Sequence, residues 1–151
     1  METPDWIIRR MEERDLDQTA ELEKQIFSVP WSREGFARAL EQKGTIYLAA
    51  VRRERVLGYC GLWGVLDEGE ITNVAVSPEA RNAGIGRALL KELIRQAETE
   101  GLRKLFLEVR ESNEAARRLY ERCGFRTDGR RKNFYDRPKE DAVLMSFDTE
   151  D

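Results

Sequence analysis

A β-rich run, Glu70 to Val76, stops at Ser77-Pro78 and gives way to a glycine-bearing turn and then to an apolar stripe at helical spacing. Leu89, Leu90, Leu93, Ile94 and Ala97 fall at i, i+1, i+4, i+5 and i+8, which predicts an amphipathic helix from Gly84 to Gly101. Leu102 to Arg110 returns to alternation, with Leu105, Leu107 and Val109 on one face and Phe106 and Glu108 on the other. One carboxylate thus sits inside a strongly apolar strand. Strand, helix and strand in this order must pack as layers on a shared core, and the chain reads as α+β, a mixed α/β fold.

The flanking segments extend that pattern. Trp6 to Met11 suits an edge strand, and Asp15-Leu16-Asp17 opens a helix carrying Leu16, Ala20, Leu22 and Ile26. Phe27 to Ser32 breaks it, because Pro30 biases Val29 away from helix. Ser32 is an N-cap candidate for a second helix through Phe36, Ala39 and Leu40. Thr45 to Arg52 and Val56 to Val65 read as an antiparallel hairpin about a charged turn. Ser112-Asn113 caps a short helix whose Ala116, Leu119, Tyr120 and Cys123 share a face, and Gly124 ends it. Phe125 to Thr127 and Ala142 to Phe147 are expected as closing strands joined by a polar loop, Gly129 to Asp141.

Composition removes whole classes of chemistry. At 151 residues the chain is expected to form one domain, residues 1–151, and 26 Lys+Arg against 29 Asp+Glu argue against bulk nucleic-acid binding. No apolar run approaches the roughly 20 residues of a membrane helix, and Met1 to Arg10 lacks the order of a signal peptide, so a cytoplasmic location is expected. There is no histidine, and Cys60 and Cys123 lie far apart, so neither a structural zinc nor any other metal site is expected. Missing histidine also excludes Ser-His-Asp and Cys-His mechanisms, leaving carboxylate, lysine, tyrosine or water as general base.

The turn after Val74-Ala75-Val76 is suited to an anion. Helix N-terminal N–H groups lack intrahelical acceptors, Gly84 and Gly86 offer no Cβ obstruction, and Arg81 and Arg87 add positive charge. The stretch has neither the Gly-Lys-Ser/Thr ending of a Walker A loop nor the GxGxxG of a dinucleotide site. Arg81-Asn82-Ala83-Gly84-Ile85-Gly86 instead resembles the Arg/Gln-x-x-Gly-x-Gly/Ala signature of the GNAT acetyltransferases. Pro30-Trp31-Ser32, Asn73-Val74-Ala75-Val76, Leu107-Glu108-Val109-Arg110, Ser112-Asn113, Leu119-Tyr120, Gly124-Phe125 and Arg130 to Tyr135 are similar to the bacterial RimI-type branch of that family. The resemblance covers roughly residues 6 to 147 and implies a twisted mixed sheet flanked by helices.

The resemblance also implies a division of labour. Acetyl-CoA would be the cosubstrate, with Val74, Ala75 and Val76 along its pantetheine arm and acetyl carbonyl. Amides from Asn82, Ala83, Gly84, Ile85, Gly86 and Arg87 would hold the pyrophosphate beside the charge of Arg81, and Asn113 would bond the pantetheine end. Glu108 corresponds to the family's general base and Tyr120 to its general acid, beside the CoA thiol. RimI-type enzymes acetylate the N-terminal alanine amine of a small-subunit ribosomal protein, by direct attack in a ternary complex. Trp31, Phe134 and Tyr135 would border the acceptor groove. The residues alone leave other readings open: Glu108 as a solvated strand residue paired with Arg110 or Arg103, Glu70 as a rival base, Tyr120 as a core tyrosine, and the three aromatics as loop packing. A broader Nα- or lysine acetyltransferase, or a non-catalytic acetyl-CoA sensor, also stays open. Arg126 to Lys132 reads as a solvated edge.

Overall fold

Seven β-runs become strands: β1 (Ile7–Arg10), β2 (Thr45–Arg52), β3 (Arg55–Val65), β4 (Glu68–Val76), β5 (Lys104–Arg110), β6 (Arg126–Tyr135) and β7 (Glu140–Asp148). In the computed structural model, which describes residues 5–149, they form one sheet in the order β1-β2-β3-β4-β5-β7-β6. Helices α1 (Leu16–Ile26), α2 (Arg33–Glu41), α3 (Ile85–Thr99) and α4 (Glu114–Arg122) cover its faces. Every neighbouring pair of strands is antiparallel except β4 and β5, which α3 connects as a parallel crossover.

The alternation along β5 divides the molecule into two layers. Leu105, Leu107 and Val109 join Leu48, Leu62, Leu89, Leu93, Tyr120 and Met145 in the larger core, under α3 and α4. Phe36, Leu16, Leu22, Tyr47, Tyr59 and Ala75 form a second core on the opposite face, under α1 and α2. Phe106 and Glu108 therefore face the α1/α2 side, and Tyr120 the α3/α4 side.

Local signals set the element ends. Ser32 Oγ accepts from Gly35 N at 3.1 Å and Asn113 Oδ1 from Ala116 N at 3.2 Å, so both expected N-caps form. At the end of α3, Leu102 N donates to Ala97 O at 2.9 Å and Gly101 N to Glu98 O at 3.0 Å, the paired bonds of a Schellman motif. The end of α4 repeats it, with Phe125 N on Tyr120 O at 2.9 Å and Gly124 N on Glu121 O at 3.0 Å. Phe125 then packs on the Tyr120 ring at 5.7 Å between centroids, so this terminus also positions Tyr120.

One expectation is corrected. The supposed polar loop Gly129 to Asp141 is mostly hydrogen-bonded strand, with β6 pairing antiparallel to β7 from Arg126↔Ser146 to Tyr135↔Glu140. β6 is the outermost strand and nearly every residue of it is exposed, so it carries no apolar alternation to betray it.

Gly124 adopts φ +101°, and a Cβ there would stand 2.8 Å from Phe147 Cε2. Gly124→Ala is expected to lower unfolding free energy by about 1–3 kcal/mol, from backbone strain and displacement of Phe147. Gly129→Ala, with nothing within 4 Å of the added methyl, should stay within about 0.5 kcal/mol of the parent. Urea denaturation midpoints at matched slope measure both.

Candidate active site

Strands β4 and β5 share a ladder only from Glu68↔Lys104 to Glu70↔Phe106. Beyond it they separate, while β4 stays paired to β3 and β5 to β7. A register shift makes Thr72 an extra residue opposite Gly61 and Leu62, a β-bulge two positions past the last β4–β5 pair. A cleft of about 590 Å³ occupies the opening, walled by Ile71 to Val74 on one side and Leu107 to Arg110 on the other.

Glu108 enters this cleft from the α1/α2 face and Tyr120 from α4, so the two expected proton-handling residues meet at one opening. Burial raises the Glu108 carboxyl, Arg131 opposes the rise, and Glu70 on β4 adds to it by charge and by favouring a shared proton. Arg131 Nη1 donates to Glu108 Oε2 at 3.1 Å. That corrects the pairing with Arg110 or Arg103: Arg110 bonds Glu140 at 3.2 Å and lies 4.4 Å above the Tyr135 ring. Glu70 is thus a neighbour of Glu108 and acts on it directly. The Tyr120 hydroxyl makes no hydrogen bond among the described residues, and burial pushes its pKa up, which keeps the proton on it.

Backbone geometry supplies further donors and acceptors. Ser77 N donates to Leu57 O of β3 at 2.7 Å, so by strand alternation the main-chain groups of Val74 and Val76 point away from β3, toward the opening. Val76 O already accepts from Arg81 Nε at 3.4 Å, whereas Ala75 faces β3 and the second core. Gly84 is the N-cap of α3 at φ +82°, with open space where a Cβ would be. The first intrahelical bond runs from Ala88 N to Gly84 O at 3.0 Å, leaving the N–H groups of Ile85, Gly86 and Arg87 without intrahelical acceptors. No side chain caps them, and Arg81, Asn82, Ala83 and Arg87 are exposed around them. Ile85 can offer only its main chain, since its side chain is core. Gly86 has a packing reason as well: a Cβ would stand 3.2 Å from Leu119 Cδ2 of α4.

Asn113, Trp31, Phe134 and Tyr135 also line the cleft, so the expected acceptor aromatics are gathered there. Trp31 is 36% exposed yet packs at a tilt against Phe36, with 5.2 Å between ring centroids, combining wall and packing roles. Phe134 and Tyr135 pack edge to face at 5.0 Å, and burial beside Glu108 pushes the Tyr135 hydroxyl up to about 12. Asn113 spends its carbonyl on the α4 cap, leaving its NH₂ as a donor.

Three further residues belong to this site. Arg131 reads from the sequence as part of a solvated edge, because nothing local connects it to Glu108, 23 positions away. Glu23 is buried on α1 and accepts from Tyr59 Oη at 2.5 Å, Trp31 N at 3.0 Å and Asn73 Nδ2 at 3.3 Å. Asn73, also buried, stands beside it on the cleft wall. A carboxylate adjoining Leu22 on the buried stripe of α1 was the available signal for Glu23.

Comparisons with known proteins bear on this arrangement. Residues 16–125 match the Acetyltransferase (GNAT) family. A [ribosomal protein bS18]-alanine N-acetyltransferase of Haemophilus influenzae is 38% identical over 145 residues, spanning 93% of this chain and 97% of that protein. The Escherichia coli protein of the same description is 36% identical over 144 residues, spanning 93% and 95%. The crystal structure of the ribosomal-protein-S18-alanine N-acetyltransferase from Escherichia coli matches with a TM-score of 0.88 at 33% identity, covering 97% of this chain and 95% of that one. Because the family match runs from the first residue of α1 through the glycine turn, Glu108 and Tyr120 to the residue before β6, the chain belongs to the GNAT acetyltransferase family.

Proposed function

We propose that this protein transfers the acetyl group of acetyl-CoA to the N-terminal α-amine of an alanine-terminated small-subunit ribosomal protein. The observation that carries the reading is the meeting of Glu108 and Tyr120, from opposite faces of the sheet, at the opening between β4 and β5. Similarity to bS18-alanine N-acetyltransferases along nearly the whole chain supports the acceptor. The reading places the reaction in the cytoplasm, in one catalytic domain.

The chain's free groups fit such a cosubstrate. The uncapped N–H groups of Ile85, Gly86 and Arg87, with Arg81 and Arg87 nearby, suit a pyrophosphate. The Val74 main chain and the Asn113 NH₂ suit the amides of a pantetheine arm lying along the separated edge of β4. Asn82 tolerates its φ of +66° in the turn because asparagine visits the left-handed region.

An α-amine has an ordinary pKa of about 7.7–8.0, so it must shed a proton before its lone pair can attack. Glu108 accepts that proton, directly or through water, and burial makes it a better base than an exposed glutamate. The amine nitrogen then bonds the thioester carbonyl carbon, the C–S bond breaks, and the sulfur leaves with the electron pair. Tyr120 donates a hydrogen bond to that sulfur and passes it the proton that makes it a thiol, and the second proton, shed by the nitrogen as the amide forms, restores the Tyr120 hydroxyl. No residue is acylated.

Glu108→Gln is expected to lower kcat by about 10²–10⁴ while acetyl-CoA affinity changes little. The substrate test is CoA release with a free alanine-terminated peptide, the same peptide blocked at its terminus, and a blocked lysine peptide. Turnover on the free terminus alone, located by mass spectrometry, is the expected result, and turnover on lysine would reassign the acceptor.

The neighbours of Glu108 give a second prediction with opposite signs. The acidic limb of the kcat/KM profile reports loss of the deprotonated base as pH falls. Arg131→Gln removes the cation that lowers the Glu108 pKa, so this limb moves to higher pH. Glu70→Gln removes the charge that raises it, and the limb moves to lower pH. Profiles of the two variants beside the parent check both directions.

A further inference from the structure

Asn73 is only 5% exposed and hydrogen-bonded on one side alone. Its Nδ2 donates to Glu23 Oε1 at 3.3 Å and Oε2 at 3.5 Å, an orientation required because a carboxylate only accepts. Its Oδ1 is buried with no partner among the described residues, and Asn73 lies on the cleft wall. Leaving a buried carbonyl oxygen unpaired is costly, and the residue that carries it lines the cleft.

The bulge at Thr72 explains the placement. Ile71 packs in the core under α3, while Ala75, two positions beyond Asn73, packs in the core under α1 and α2. The extra residue thus turns Asn73 to the face that also carries Glu108 and Glu70. Glu23 is held in turn by Tyr59 and by the main-chain N–H of Trp31, so the amide cannot reverse without losing its donor bonds.

Resting on the acetyl-transfer reading, we infer that Asn73 Oδ1 is the hydrogen-bond acceptor that orients the acceptor's α-amine, with Glu23 as the positioning residue that fixes the amide. The ligand class is a primary amine at a peptide terminus. Its N–H groups supply the donor that Oδ1 lacks, and the Glu23 carboxylate behind Asn73 favours a cationic amine on arrival. Asn73 therefore selects for the amine before Glu108 deprotonates it.

The test compares two peptides on the full-length protein saturated with CoA, which cannot transfer acetyl. One has a free N-terminal alanine, and the other has a propionyl group there, identical except that hydrogen replaces the amine. Calorimetry is expected to show that the parent prefers the amine peptide, and that Asn73→Leu cuts this preference about tenfold with CoA affinity unchanged. Glu23→Gln should cut it too, because a glutamine partner lets the Asn73 amide reverse. Where Asn73→Leu fails to fold, Asn73→Ala carries the same comparison. A preference kept within about twofold in the Asn73 variant overturns the inference alone. Failure of the parent to acetylate the free peptide overturns the acetyl-transfer reading and this assignment with it.

Discussion

Parallel strands β4 and β5 pair across three residues and no further, and the position of that last pair, Glu70↔Phe106, sets the rest of the site. β5 cannot follow β4, because it stays in register with β7 as far as Arg110↔Ala142. β4 cannot follow β5, because its Thr72 bulge steepens the local twist while it holds to β3. Main-chain groups that a continuous sheet would pair are left facing an opening, and such groups need partners. An extended, amide-bearing ligand answers that need in the way a missing strand would.

On the proposed reading, the opening also makes a histidine-free chemistry workable. In bulk water a glutamate is a weak base, and its usefulness near neutral pH depends on surroundings that disfavour its charge. Burial and Glu70 push Glu108 in that direction and Arg131 restrains it. The balance matters, because a base held too low accepts poorly and one raised too far is already protonated. Tyr120 lies on the other side of the same balance: burial disfavours its ionised form and keeps the proton on a hydroxyl that makes no hydrogen bond among the described residues.

Features carried by local periodicity and capping were legible in the sequence. The alternation of β5 places Glu108 on the face opposite Leu105, Leu107 and Val109, Ser32 and Asn113 cap as their residue types require, and Gly101 and Gly124 end their helices. β6 was not legible, since an outermost strand exposed on both faces has the composition of a loop. The bulge was not legible either, because it is a relation between strands. Glu23 and Asn73 are 50 positions apart, and Arg131 and Glu108 are joined only by the β5-β7-β6 order. The glycine turn was legible for its main chain, but the packing of Gly86 against Leu119 required α4 in place.

On the proposed reading, the two faces of the sheet separate the donor from the acceptor. The turn at Gly84, the α3 N-terminus and Tyr120 belong to the α3/α4 side, whereas Trp31, Asn73 and Glu108 belong to the α1/α2 side. The cleft wall on that side is built on one carboxylate: Glu23 holds the Trp31 main chain with one oxygen and Tyr59 with the other, and Asn73 leans on both. A change in the segment between α1 and α2 would therefore be felt at Asn73 through Glu23, while the α3 N-terminus has no bond to that network among the described residues. Selectivity for the acceptor can drift on such an architecture without loosening the grip on the donor.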